Sequence, residues 1–170
     1  MKTILVVSVM IATGLLLGGM AGAQTARAEL KDAGGKTVGE AILEQRGEDV
    51  RIVTTITGVP PGTHALHIHA VGTCEPPFDS AGPHFNPTGK QHGKDNPQGP
   101  HAGDLPNIEV PASGRAKVEA TAKGVALGAG KNELLDADGS ALVIHEGADD
   151  YKSDPAGNAG KRIACGVIRR

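Results

Sequence analysis

The stretch from Gly72 to Asn107 has neither helical nor strand periodicity, and it holds Pro76, Pro77, Pro83, Pro87, Pro97, Pro100 and Pro106 together with six glycines. So long and polar a loop has too few apolar side chains to pack itself. Inside a compact domain something other than hydrophobic burial must order it. The same stretch carries Cys74, His84, His92, His101 and Asp104, residue types from which a disulfide or a bound metal ion can be made.

Around that loop the chain reads as short strands separated by turn chemistry. Strands are expected at 37–45, 50–57, 64–70, 108–110, 115–122, 141–146 and 163–168. Val50, Ile52 and Ile56 share one parity, as in a half-buried strand. No segment carries an amphipathic helical pattern of useful length, so seven or eight short strands imply an all-β sandwich or barrel. The only aromatic residues are Phe78, Phe85 and Tyr151, with no Trp. The core must therefore be built from Val, Ile, Leu and Ala, and stacking on nucleic-acid bases is not available. A formal charge of −2, with the charges scattered, likewise points to no nucleic-acid partner.

Lys2 is followed by an apolar run from Ile4 to Met20 and then by Ala21-Gly22-Ala23 and Ala26-Arg27-Ala28. This is the pattern of a secretory signal. Residues 1–28 are therefore read as a signal peptide cleaved after 23 or 28. What remains is one exported domain, 29–170, periplasmic or extracellular, with no stable membrane insertion after cleavage. An uncleaved anchor is the other reading, although the run is short against the roughly 20 residues a spanning helix needs. In an oxidising compartment Cys74 and Cys165 are most simply one disulfide, worth at most about 4–5 kcal/mol for so long a loop. Two separate buried thiols are the alternative.

The remaining candidates are ambiguous one at a time. Two-residue alternation puts His67 and His69 on one strand face, opposite Leu66, Ile68 and Ala70; they suit two positions on one metal, or simply face solvent. His84, His92, His101 and Asp104 supply three imidazoles and a carboxylate, enough for a tetrahedral zinc site. His145, after Leu142-Val143-Ile144, reads as a satisfied core histidine, Arg162 as a solvated charge at a strand entry, and Asp149-Asp150 as a turn.

Taken in order, the strings Leu66-His67-Ile68-His69, Gly82-Pro83-His84-Phe85-Asn86-Pro87, His92-Gly93, His101-Ala102-Gly103-Asp104-Leu105, Val143-Ile144-His145-Glu146 and Gly157-Asn158-Ala159-Gly160-Lys161-Arg162-Ile163-Ala164-Cys165-Gly166 resemble the copper/zinc superoxide dismutases from residue 37 to 168. The resemblance implies a Greek-key antiparallel β-sandwich or flattened barrel of about eight strands with long metal-binding and active-site loops. It implies copper on His67, His69, His84 and His145, zinc on His84, His92, His101 and Asp104, and His84 as the bridge between them. Arg162 becomes the anion-orienting residue beside copper, and Asp149 a carboxylate holding one copper-ligand and one zinc-ligand ring. Cys74–Cys165 becomes the family's loop-to-strand bridge, and His64 a structural histidine outside the metal set. The implied substrate is the superoxide anion, and the implied activity is its dismutation by copper redox cycling.

This sequence departs from the commonest eukaryotic pattern in two places. The insert Glu75-Pro76-Pro77-Phe78-Asp79 lengthens the run between Cys74 and His84, and the run from His145 to Arg162 is shorter, lacking the charged segment that helps guide substrate in those relatives; Lys152 and Lys161 are candidates to replace it, although no spacing assigns them that role. No apolar stripe advertises a subunit interface, and a homodimer is compatible with the resemblance. A second reading keeps the fold and loses the reaction: an exported copper/zinc-binding module that buffers metal without turnover, or a structural zinc domain with no copper. Arg162 and the extra imidazoles argue against both.

Overall fold

The structure is a computed structural model that describes residues 24–170; the apolar run read as a signal lies outside the described residues. The described residues form nine strands: β1 (Thr25–Asp32), β2 (Thr37–Arg46), β3 (Asp49–Ile56), β4 (Gly62–His64), β5 (Leu66–His69), β6 (Ile108–Val110), β7 (Ala116–Ala122), β8 (Ala141–His145) and β9 (Arg162–Val167). Seven of them form one curled antiparallel sheet in the order β5-β8-β9-β1-β2-β3-β7, and β4 pairs with β6 in a small second sheet. The described residues form no α-helix.

The expected all-β architecture is therefore present, with two differences in its elements. β1 was assigned to no strand, because its first four residues fall inside the segment set aside as a signal. Its alternation is nevertheless that of a half-buried strand: Ala26, Ala28 and Leu30 point into the core while Arg27 and Glu29 face solvent. The strand expected at 64–70 is two elements. At Ala65 the chain changes partner: the Ala65 N–H donates to Gly147 O (2.8 Å), and the Ala65 carbonyl accepts from the His145 N–H (3.0 Å). β4 consequently joins β6 while β5 joins β8.

The main core is aliphatic. Leu30, Leu43, Ile52, Ile56, Leu66, Ile68, Leu142 and Ile144 meet in one cluster, with Phe85 entering from the long loop. A smaller cluster, made of Phe78, Ala81, Ala141, Val143 and Cys165, lies apart from it with Cys74 packed against it. All four residues of β5 are buried. Leu66 and Ile68 serve the core, so His67 and His69 project from the other face, where the long loop covers them. That loop is pinned by the Cys74–Cys165 disulfide, with its Cα atoms 5.7 Å apart, and by short bridges between His69 and His84 and between His67 and Asp104.

Candidate metal centre

The histidines predicted from spacing converge where β5, the end of β8 and the two long loops meet. His67, His69, His84, His92, His101 and His145 are all buried. His67, His69, His84 and His145 each offer a ring nitrogen within 4.8 Å of the others, and the same holds for His67, His84, His92 and Asp104. The His69 and His145 Nε2 atoms stand 3.4 Å apart.

A second knot of donors forms around Asp104. Its Oδ1 lies 2.8 Å from His84 Nδ1, 3.0 Å from His92 Nδ1 and 3.3 Å from His101 Nδ1, and the Nδ1 atoms of His84 and His101 are 3.4 Å apart. Ligand atoms at the corners of a zinc tetrahedron with bonds of about 2.0–2.1 Å stand about 3.3 Å from one another. The three contacts to Asp104 Oδ1 and the His84–His101 distance, 2.8–3.4 Å, are close to that spacing. His67 also offers a nitrogen within 4.8 Å of His84, His92 and Asp104, and its Nε2 donates to Asp149 Oδ2 (3.0 Å).

Orphaned atoms provide an independent test of fit. His67 Nδ1, His84 Nε2 and His92 Nδ1 are buried without a hydrogen-bond partner in the protein. Such an atom costs about 1–3 kcal/mol if left unmade. Coordination would satisfy each of them, and imidazole nitrogen suits both copper and zinc. Protonation states agree. Burial, above all, pushes His69 down to about 2, His145 to about 3 and His84 to about 4, so these rings are neutral, as a ligand must be. Burial also opposes charge on His92, but the Asp104 and Asp149 carboxylates beside it outweigh burial and raise this ring to about 9. Metal binding must therefore displace a proton there. Burial favours the neutral form of Asp104 and Asp149 too, yet the neighbouring imidazoles, His84 and His92 for Asp104 and His67 and His92 for Asp149, hold both well below the usual carboxylate range.

Asp149 bridges the two groups, accepting from His67 Nε2 through Oδ2 (3.0 Å) and from His92 Nε2 through Oδ1 (2.9 Å). It fixes both tautomers, leaving each Nδ1 free for a metal. Arg162, at the start of β9, donates Nη1–H to Phe78 O (2.7 Å) and Nη2–H to Gly82 O (2.8 Å); Gly82 O also accepts from His69 Nδ1 (2.9 Å). A single carbonyl thus ties the guanidinium to a ring of the centre. His64 stands outside the metal set, its ring nitrogens 2.8 Å from His145 O and 2.9 Å from Pro60 O. Lys152 and Lys161 are exposed.

Sequence reasoning missed Asn107 and Asp154. Asn107 exchanges two hydrogen bonds with the Asp149 backbone (both 2.9 Å) and gives its own N–H to the Tyr151 hydroxyl (2.7 Å). Asp154 accepts the His92 N–H (2.6 Å). Neither belongs to a motif with metal-ligand spacing, so no one-dimensional signal marks them.

The sequence model of the copper/zinc superoxide dismutase family matches residues 37–168. The chain belongs to the copper/zinc superoxide dismutase family. Among its relatives, superoxide dismutase [Cu-Zn] 2 of Aquifex aeolicus is 54% identical over 147 residues, covering 85% of this chain and 86% of its own. The superoxide dismutase-like protein YojM of Bacillus subtilis is 46% identical over 144 residues, 82% of this chain and 74% of its own. The crystal structure of a SOD-like protein from Bacillus subtilis superposes with a TM-score of 0.79 at 43% identity, covering 83% of this chain and 96% of that one. Copper and zinc are the metals of the family, and the two donor groups suit both.

Proposed function

We propose that this protein is an exported superoxide dismutase. It holds copper on His67, His69, His84 and His145 and zinc on His84, His92, His101 and Asp104, and converts two superoxide anions and two protons to dioxygen and hydrogen peroxide. The observation that carries the reading is His84. Its Nδ1 lies 2.8 Å from Asp104, its Nε2 is buried and unpartnered, and the ring offers a nitrogen to both donor groups. One ring therefore serves two donor sets.

Copper supplies one-electron redox cycling at such a site, and zinc supplies fixed charge and geometry. The chain's own residues do the rest. With both metals bound, His84 would carry no N–H, and its Nε2 would be the atom placed to take a proton and deliver it to the reduced substrate. Arg162 binds and orients the small anion, its charge uncompensated by the two carbonyls that hold it. Asp149 keeps His67 and His92 turned towards their metals. Because the chain is net negative, approach of a monoanion depends on local positive charge rather than on the total.

Export rests on the signal pattern, and the strand positions favour one cleavage site. Cutting after Ala28 would remove the first four residues of β1, including buried Ala26 and Ala28. Cutting after Ala23 leaves β1 whole. The mature chain should therefore begin at Gln24, which intact mass reads directly. No helix among the described residues is long and apolar enough to cross a membrane. Pairing into a homodimer is read by sedimentation of the mature protein.

The metal-buffering alternative keeps every ligand but gives Arg162 nothing to do. Arg162→Glu in the loaded protein should retain one copper and one zinc yet lose at least about tenfold in dismutation rate, the equivalent of about 1.4 kcal/mol of anion stabilisation. Arg162→Lys should fall between, since it keeps charge without the two-pronged geometry. Raising ionic strength should slow the wild type more than the Glu variant. Equal rates for all three at low salt would remove Arg162 from the reaction.

A further inference from the structure

Phe78 lies in the insert after Cys74. Its side chain is 1% exposed and is the largest of the small apolar cluster formed with Ala81, Ala141, Val143 and Cys165. Its backbone is left-handed, φ 79 and ψ 12, a conformation that glycine adopts readily and a bulky residue does not. A phenylalanine in that position is held there by its buried ring.

The backbone of Phe78 is hydrogen-bonded on both sides. Its N–H donates to Glu75 O (2.6 Å), and its carbonyl accepts from the Ala81 N–H (3.1 Å) and from Arg162 Nη1 (2.7 Å). The second hold on the guanidinium, Gly82 O, belongs to the residue whose N–H closes the same short 3-10 turn, Asp79–Ala81, on Asp79 O. Arg162 thus hangs from the two ends of one turn. The disulfide anchors the chain before that turn at Cys74, and the Phe78 ring anchors the turn itself over β8 and β9.

We propose that Phe78 is a positioning residue for Arg162: its buried ring fixes the carbonyl from which the guanidinium is suspended, and so sets where the anion-orienting charge stands. The proposal rests on the reading of Arg162 given above. An arginine is a rotamer-rich side chain, and holding it in one place removes an ordering cost that an incoming anion must otherwise meet.

Azide, a small monoanion, is the probe, titrated into copper/zinc-loaded protein and followed by the visible spectrum of the copper. Phe78→Gly suits the backbone but empties the ring's seat; Phe78→Leu keeps the seat filled. With both metals retained, Phe78→Gly should weaken azide about three- to tenfold, the worth of about one hydrogen bond, while Phe78→Leu stays within about twofold of wild type. In the Arg162→Gln background Phe78→Gly should add nothing further, because the two act in series. The Arg162 Nε–H signal in NMR of zinc-loaded, copper-free protein should broaden or shift in the glycine variant only. A purely structural role would lower the melting temperature without moving azide affinity at full metal loading. Wild-type azide affinity in Phe78→Gly, or full additivity in the double variant, would overturn the proposal. If the glycine variant does not fold, Phe78→Val, which underfills the seat, decides in the same way: intermediate weakening supports the proposal and wild-type affinity overturns it. Wild-type affinity in Arg162→Gln would instead overturn the underlying reading of Arg162.

Discussion

Asp149 is one carboxylate serving two rings, so removing it separates what the β-sheet holds from what the loop holds. In Asp149→Ala the His67 Nε2–H and the His92 Nε2–H both lose their acceptor, and both rings are fully buried. Each orphaned donor costs about 1–3 kcal/mol, hence about 2–6 kcal/mol together. For a domain of this size that lowers the melting temperature of the metal-free protein by roughly 5–20 °C. The effects on the metals should be unequal. His67 sits in β5, with its backbone fixed by register with Val143 of β8. His92 sits in the long loop, and its main chain is held chiefly by one hydrogen bond to Asp154 (2.6 Å). Once Asp149 is gone, His92 has more freedom to turn away, so zinc affinity should fall about 10–100-fold and copper affinity by less than about tenfold. Competition with a chromophoric chelator measures each metal separately, and scanning calorimetry reads the metal-free protein. Copper affinity falling as far as zinc affinity, or an unchanged melting temperature, would refute this division of labour.

Three further outcomes are expected. His84→Ala should weaken both metals by at least about tenfold, whereas His145→Ala should weaken copper and leave zinc in place; chelator titration of the two variants distinguishes a shared ring from an unshared one. Replacing Cys74 and Cys165 together by serine should destabilise the protein by at most about 4–5 kcal/mol in denaturant titration, and an unchanged midpoint would mean the loop needs no such staple. Gly93→Ala should impair zinc binding without touching the ladder of β5 and β8, because a Cβ there runs into the Tyr151 carbonyl and φ is +99; full zinc affinity would show that the two loops can part without cost.

Much of the centre is legible in one dimension. The alternation of Leu66, His67, Ile68 and His69 sets two imidazoles on one face whatever the rest of the chain does. A loop of seven prolines and six glycines cannot order itself, so its histidines and its cysteine draw attention. What was not legible depends on contacts between distant segments. The burial that makes β5 inaccessible on both faces comes from the loop folding back over it, so His67 and His69 looked half-exposed in the sequence. The Asn107–Asp149 exchange joins positions 42 apart, and no periodicity registers it. β1 was hidden for a different reason: two small-x-small sites overlap its start, and one chemical signature masked another. The insert containing Phe78 read as a departure of unknown consequence, since a ring's burial and a carbonyl's direction exist only in three dimensions.

The most direct measurement is made on mature protein loaded with copper and zinc, with metal content determined by mass spectrometry and superoxide decay followed on the same sample. One copper and one zinc per chain, with catalytic loss of superoxide that disappears when copper is withdrawn and returns when it is restored, is the expected result. Full occupancy by both metals, with superoxide decaying no faster than in metal-free protein, would contradict it and leave a metal-binding module on the same fold.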